Sequence, residues 1–235
     1  MFQSNKEYKN FLIQSGVHTF LKDTPNKLLE NQQNQPKSKE KKDLKKLDEI
    51  NKIQDLIPLI SNYTSALKNN AKRMVLYDGN VNSHLMIIGE APGQEEDEQG
   101  IPFVGRAGQL LNKMLSAINL DRKDIYITNV LPWRPPQNRT PTDKEILEFL
   151  PFLQRQIEII KPQILYILGT TAAKAILSTP LSLGKLRGKW YQYKTLNLES
   201  PIDVLVSYHP AFLLRSPNYK KEAWSDLQML QKKIK

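Results

Sequence analysis

The chain has 235 residues, a formal net charge of +10 and no cysteine. The missing cysteines exclude a disulfide framework and every thiolate-ligated metal or iron–sulfur site, and they suit a reducing compartment. The surplus of Lys and Arg attracts phosphate backbones or anionic lipid, no apolar run approaches the roughly 20 residues of a membrane span, and the polar start MFQSNKEYKNF reads as neither signal nor transit peptide.

Residues 1–70 differ in character from the rest. NKEYKNFLIQSGVHTFL has the spacing of a short amphipathic helix, with Phe11, Leu12, Val17 and Phe20 on its apolar side. QNQPKSKEKKDLKKLDE is Lys-rich and without aromatics, a solvated linker running into a charged helix. That helix is expected to continue through IQDLIPLISNYTSALKNNA, bent or broken near Pro58. The expected division is a helical, Lys-rich and partly disordered extension over 1–70 and the domain proper over 71–235.

From about residue 84 the pattern becomes βα. HLMIIGE is a short apolar run ending at Gly89, a buried strand. The connection GEAPGQEEDEQGIPFVG reads as a flexible acidic loop, with Glu95, Glu96, Asp97 and Glu98 solvated by default and room for one or two of them to turn inward. AGQLLNKMLSAINL has helical spacing, and DIYITNV is a second strand ending at Asn129. WRPPQNRTPT is a loop because its prolines forbid ladder pairing. Thr142 and Glu145 form a capping box that opens a helix through EILEFLPFLQRQIEII. QILYILG is a third strand, TTAAKAILS a helix, PIDVLVSYH a fourth strand ending at His209, and AWSDLQMLQKKI a closing helix. Alternating strands and helices predict an α/β fold: a central four-stranded parallel sheet in a three-layer α/β/α sandwich.

In such a sheet ligands bind beyond the carboxyl ends of the strands, so Glu90, Asn129 and His209 should converge on one crevice. Asn129 donates and accepts side by side, which suits the edge of a pyrimidine; alone, an Asn here more often bonds local backbone. His209 precedes Pro210, which biases it to extended backbone and lets the imidazole face the crevice, although a lone His is more often structural. Glu90 can orient water, act as a base or stabilise a cationic sugar. Phe103 can stack on a flat base, where ordinary core packing is its alternative. Leu213, Leu214 and Arg215 in FLLRSP can wedge into DNA and hold phosphate, or else begin the last helix; Arg134 and Arg139 are further phosphate candidates. Together these describe an enzyme that extrudes a nucleotide from DNA.

GEAPGQEEDEQGIPFVGRAGQLL, TNVLPWRPPQNRTPT and HPAFLLRSP resemble the three motif regions of family 4 uracil-DNA glycosylases, and the similarity extends from about Val75 to Trp224 through KLRGKW. The resemblance implies hydrolysis of the bond between uracil and deoxyribose, leaving an abasic site for base excision repair. It implies that Asn129 reads the uracil edge, Phe103 stacks on the ring and His209 stabilises charge on O2. Glu90, with Glu96 as a second candidate, would position water or stabilise the sugar cation. Gly89, Ala91, Pro92 and Gly93 would shape the pocket, and Leu213, Leu214 and Arg215 would form the intercalating loop.

Family 4 enzymes usually hold a four-iron, four-sulfur cluster on four cysteines. The matching positions fall at about Asn62, Ser65, Trp133 and Phe149, none of which supplies a thiolate. The cluster is therefore expected to be absent, with no other cofactor required, and Trp133 and Phe149 to plug its space. Without an obvious activated lysine the enzyme is expected to be monofunctional. The alternatives are a non-catalytic module of the same fold that binds DNA or uracil, and a glycosylase for other deaminated bases. The expected partner is uracil-containing DNA, bound by a monomer; the partner of the N-terminal extension is unknown. Frequent Lys, Asn and Ile fit an AT-rich bacterial genome, so the expected location is the cytoplasm, at the nucleoid.

Overall fold

A computed structural model of the chain describes residues 47–234. The expected amphipathic helix around Phe11 and most of the Lys-rich linker lie outside the described residues. Residues 47–69, assigned by sequence to the extension, pack into the domain: Leu47, Ile53, Leu56, Ile60, Tyr63 and Leu67 are buried in its main core. Helix α1 (Ile53–Asn62) contains Pro58 without breaking there. Burial of Ile53, Leu56 and Ile60 on one face outweighs the single lost backbone donor. The predicted continuation stops at Asn62 instead. Tyr63 is extended, and the Ser65 side chain accepts from the Leu67 N–H to open a short 3-10 turn, Ala66–Asn69.

The remaining elements are β1 (Tyr77–Gly79), β2 (Leu85–Gly89), α2 (Gln94–Gln99), α3 (Arg106–Ser116), β3 (Tyr126–Asn129), α4 (Asp143–Ile160), β4 (Ile164–Leu168), α5 (Thr170–Leu177), α6 (Leu183–Leu186), β5 (Trp190–Tyr193), β6 (Ile202–Ser207), α7 (Pro210–Arg215) and α8 (Lys220–Ile234). The strand order is β1-β3-β2-β4-β6-β5. The inner four strands are parallel, as predicted. Two antiparallel edge strands, β1 on β3 and β5 on β6, enlarge the sheet to six. Sequence reading missed them because YDG has no apolar run and WYQY is mostly half-exposed, so neither carries the pattern of a buried strand.

Alternation along the inner strands feeds two faces. Met86, Ile88, Tyr126, Leu165, Ile167, Val204 and Val206 pack with residues of α1, α4 and α5. Leu85, Ile87, Ile127, Tyr166, Leu168 and Leu205 pack with Leu111 and Leu115 of α3 and Leu227 and Leu230 of α8. This is the predicted three-layer arrangement. The α4 capping box forms as predicted, with the Thr142 Oγ1 accepting from Glu145 N and Glu145 Oε2 accepting from Thr142 N. No helix among the described residues is long and apolar enough to cross a membrane. From β2 the chain moves to β3 on one side and later to β4 on the other. The crevice of this fold therefore opens between the carboxyl ends of β2 and β4.

Candidate active site

β2 delivers Gly89 and Glu90 to that crevice. A methyl group at Gly89 would lie 2.4 Å from the Asn129 side-chain oxygen and 2.4 Å from the Phe103 ring, so only glycine lets the three approach. Ala91 packs toward the main core and Pro92 is buried, which leaves Gly89 as the member of the turn that meets Asn129 and Phe103.

The acidic stretch is a helix, not the predicted solvated loop. Gly93 caps α2, and Glu95, Glu96 and Asp97 occupy its first turn, where carboxylates complement the positive end of the helix. Glu96 is committed to backbone: Oε2 accepts from Gly93 N, and Oε1 from Val104 N and Gly105 N. The predicted second catalytic acid therefore ties the two ends of its own loop together. Asp97 is buried and accepts from the Lys72 and Arg73 N–H groups.

Phe103 has a left-handed backbone, φ 54°, and a buried ring. Such a conformation costs an aromatic residue on the order of 1–3 kcal/mol and must be held by its surroundings. Arg122 holds it by donating to the carbonyls of Phe103 (2.9 Å) and Pro102 (2.5 Å) and pairing with Asp78. Gly108 lets α3 pass against the Phe103 carbonyl, which a Cβ would overlap. Sequence reading missed Arg122, because an Arg in a DRKD turn gives no sign of its distant acceptors.

Asn129 ends β3 and is buried, and its Oδ1 has no hydrogen-bond partner. His209 lies two residues past the end of β6 rather than on it. It caps α7, with Nδ1 accepting from Ala211 N at 3.2 Å. An acceptor at Nδ1 leaves the proton of the neutral ring on Nε2. Burial, reinforced by the charge of Arg215, lowers the His209 pKa to about 4, so the ring is neutral at physiological pH. A methyl group at Gly169 would sit 3.1 Å from the His209 Cβ, so that glycine gives the histidine its place. The strand end is anchored from behind: Ser207 and Arg187 both donate to buried Asp226, and the Arg187 guanidinium lies 5.3 Å from the Tyr208 ring.

Glu90 is half-buried, and its Oε2 accepts from the Thr171 hydroxyl at 2.5 Å. Thr171 was not singled out from sequence, since β4 ends in glycine and a Thr inside TTAAKAIL reads as an ordinary helix residue. The structure thus brings Glu90, Asn129, Phe103 and His209 to one place and adds Thr171.

The predicted DNA-contacting residues scatter more. FLLRSP is not a loop; its first four residues form most of α7. Leu213 is 1% exposed and lines an apolar groove with Leu110, Met114, Trp224 and Leu227, whereas Leu214 is 37% exposed. Of the two leucines proposed as wedges, Leu214 alone faces solvent, because a helix turns adjacent side chains to different sides. Arg215 is exposed. Arg139 forms a two-pronged ion pair with Glu145, and Arg134 donates to Asn138 and lies 3.8 Å from Asp97. Both guanidiniums have internal partners.

The uracil DNA glycosylase superfamily model matches residues 76–228. The type-4 uracil-DNA glycosylase of Pyrobaculum aerophilum is 41% identical over 182 residues, 75% of this chain and 92% of its own. That of Sulfurisphaera tokodaii is 42% identical over 66% of this chain and 71% of its own. The type-4 enzyme of Thermotoga maritima is 40% identical over 63% of this chain and 74% of its own.

The residues at the matching cluster positions do not fit an iron–sulfur cluster. The chain supplies no thiolate. Asn62 is exposed at the end of α1, while Ser65, Trp133 and Phe149 are buried. Tyr63 packs edge-on against Phe149 and Phe152, at 5.9 and 5.1 Å between centroids, and Lys68 Nζ lies 5.5 Å from the Trp133 ring. Aromatic contacts join Tyr63, just past α1, to α4, and Trp133 of the loop after β3 is buried in the same core; Tyr63 and Phe152 are members that sequence reading did not name.

Proposed function

The chain belongs to the uracil-DNA glycosylase superfamily, and on that footing we propose that it hydrolyses the N-glycosidic bond of uracil in DNA, leaving an abasic site for base excision repair. The observation that carries this is the buried, unpartnered Oδ1 of Asn129 beside Phe103. A buried acceptor without a partner costs about 1–3 kcal/mol, which a ligand N–H relieves. Uracil extruded from the duplex offers N3–H to Oδ1 and O4 to the amide N–H of the same side chain, with Phe103 against the pyrimidine ring.

Water then bonds to C1′ as the C1′–N1 bond breaks, and uracil departs with the electron pair. The neutral His209 donates Nε2–H to uracil O2, where negative charge grows; one such donor is worth about 3–4 kcal/mol in other enzymes. Glu90 stabilises the cationic sugar or takes the water proton. No lysine is required, so the reaction ends at the abasic site and the enzyme is monofunctional. Leu214 fills the space of the extruded nucleotide and Arg215 meets phosphate. One chain supplies every group named, which supports a monomer. The net charge of +10 supports a place on DNA, and frequent Lys, Asn and Ile support an AT-rich bacterial host.

The test is labelled DNA with a single uracil, incubated with the protein and then treated with alkali to cleave abasic sites. Cleavage by wild type and its loss in the Asn129→Ala, His209→Ala double variant is the expected result. Salt-sensitive binding without cleavage would replace this proposal with a non-catalytic binding module. Cleavage of hypoxanthine or xanthine duplexes in preference to uracil would change the substrate.

A further inference from the structure

We propose that Thr171 is a positioning residue for Glu90, holding one carboxylate oxygen so that the other is presented to water or to the sugar. The inference rests on the functional reading of Glu90 given above. β2 and β4 are direct neighbours, paired from Leu85 with Ile164 to Ile88 with Ile167. They diverge in their connections, so the Thr171–Glu90 hydrogen bond spans the mouth of the crevice at the switch point of the sheet.

The geometry is fixed from several sides. Gly169, at φ 93°, turns the chain from β4 directly into α5, and its N–H donates to the Ser207 carbonyl. Thr171 is therefore in the first turn of α5, 8% exposed. Its branched side chain restricts χ1, so a buried Thr holds its hydroxyl in a set direction better than a Ser does. On the Glu90 carboxylate the Thr171 hydroxyl donates at Oε2, which leaves Oε1 for the reaction, while the Glu90 backbone carbonyl accepts from the Leu131 N–H. An unheld glutamate on a turn has two equivalent oxygens and free rotation; this one has a single oxygen available in one orientation.

The experiment compares single-turnover uracil release and KM for wild type, Thr171→Val, Thr171→Ser, Glu90→Ala and the Glu90→Ala, Thr171→Val double variant. Valine keeps the shape and removes the donor. The expected result is a roughly 10- to 100-fold fall in kcat with KM within about twofold, and recovery of most of the rate in the serine variant. In the Glu90→Ala background the valine substitution should change nothing further, since the group it orients is gone. A valine variant as active as wild type overturns the inference, as does an equal fractional loss in both backgrounds, which marks a merely structural residue. Wild-type protein that releases no uracil overturns the functional reading first, and this inference with it.

Discussion

The imidazole of His209 stacks on the ring of Phe103, with centroids 5.5 Å apart and planes inclined by 28°. The two residues come from opposite halves of the domain, one from the connection before α3 and the other from the start of α7. Their rings are in contact, so a planar base cannot lie between them. It must meet Phe103 through its face and His209 through its edge, which is the arrangement that leaves Nε2–H free to donate.

The protonation of His209 is therefore open to direct measurement. Its pKa is lowered from 6.5 to about 4, first by burial and then by Arg215. Well above pH 6.5 the ring is neutral in both folded and unfolded chains, and the contribution of His209 to stability is fully present. As pH falls from there to about 4, the unfolded chain takes up a proton that the folded chain refuses, and stability declines. Melting temperatures at pH 7 and 5 should differ less in His209→Asn than in wild type. Imidazole nitrogen shifts should show the proton on Nε2 at pH 6; a charged ring at that pH would contradict the assignment.

Asn129 and Gly89 should separate activity from stability. Asn129→Ala removes a buried unpaired acceptor. Its melting temperature should equal or exceed that of wild type while uracil release falls roughly 100- to 1,000-fold. Gly89→Ala drives a methyl group into both Asn129 and Phe103. It should lose activity and also about 1–3 kcal/mol of stability, read by denaturant unfolding.

The aromatic packing at the cluster positions should behave as core. Phe149→Ala and Trp133→Ala should each cost about 3–5 kcal/mol in denaturant unfolding. Trp133→Phe should be far milder, because the indole N–H has no partner to lose. Incubation with an iron chelator should leave the melting curve and uracil release unchanged.

Leu213 and Leu214 should differ although they are adjacent. Leu213→Ala opens a buried site and should cost about 2–5 kcal/mol of stability. Leu214→Ala should leave the melting temperature within about 1 °C and slow uracil release from duplex DNA more than from single strands, where nothing need be held apart. Equal slowing on both substrates would remove Leu214 from the role of wedge.

Local pattern was enough for the inner parallel sheet, the α4 capping box and the lack of thiolate ligands, and it pointed Glu90, Asn129 and His209 toward one crevice. Each rests on local pattern: apolar runs stopped by glycine, a Thr and Glu three apart, a missing residue type, and the rule that parallel strands end on one side. The remaining features depend on contacts between segments far apart in the chain. Glu96 turns to the backbone amides of Val104 and Gly105 because helix α2 carries it there. Leu213 turns inward because FLLR is helical. Residues 47–69 join the domain because Tyr63 packs against Phe149 and Phe152 of α4 and Leu67 is buried in the same core. Thr171 meets Glu90 across two strands that are neighbours in space but far apart in the chain, and a contact of that kind leaves no period or spacing in the sequence to be read.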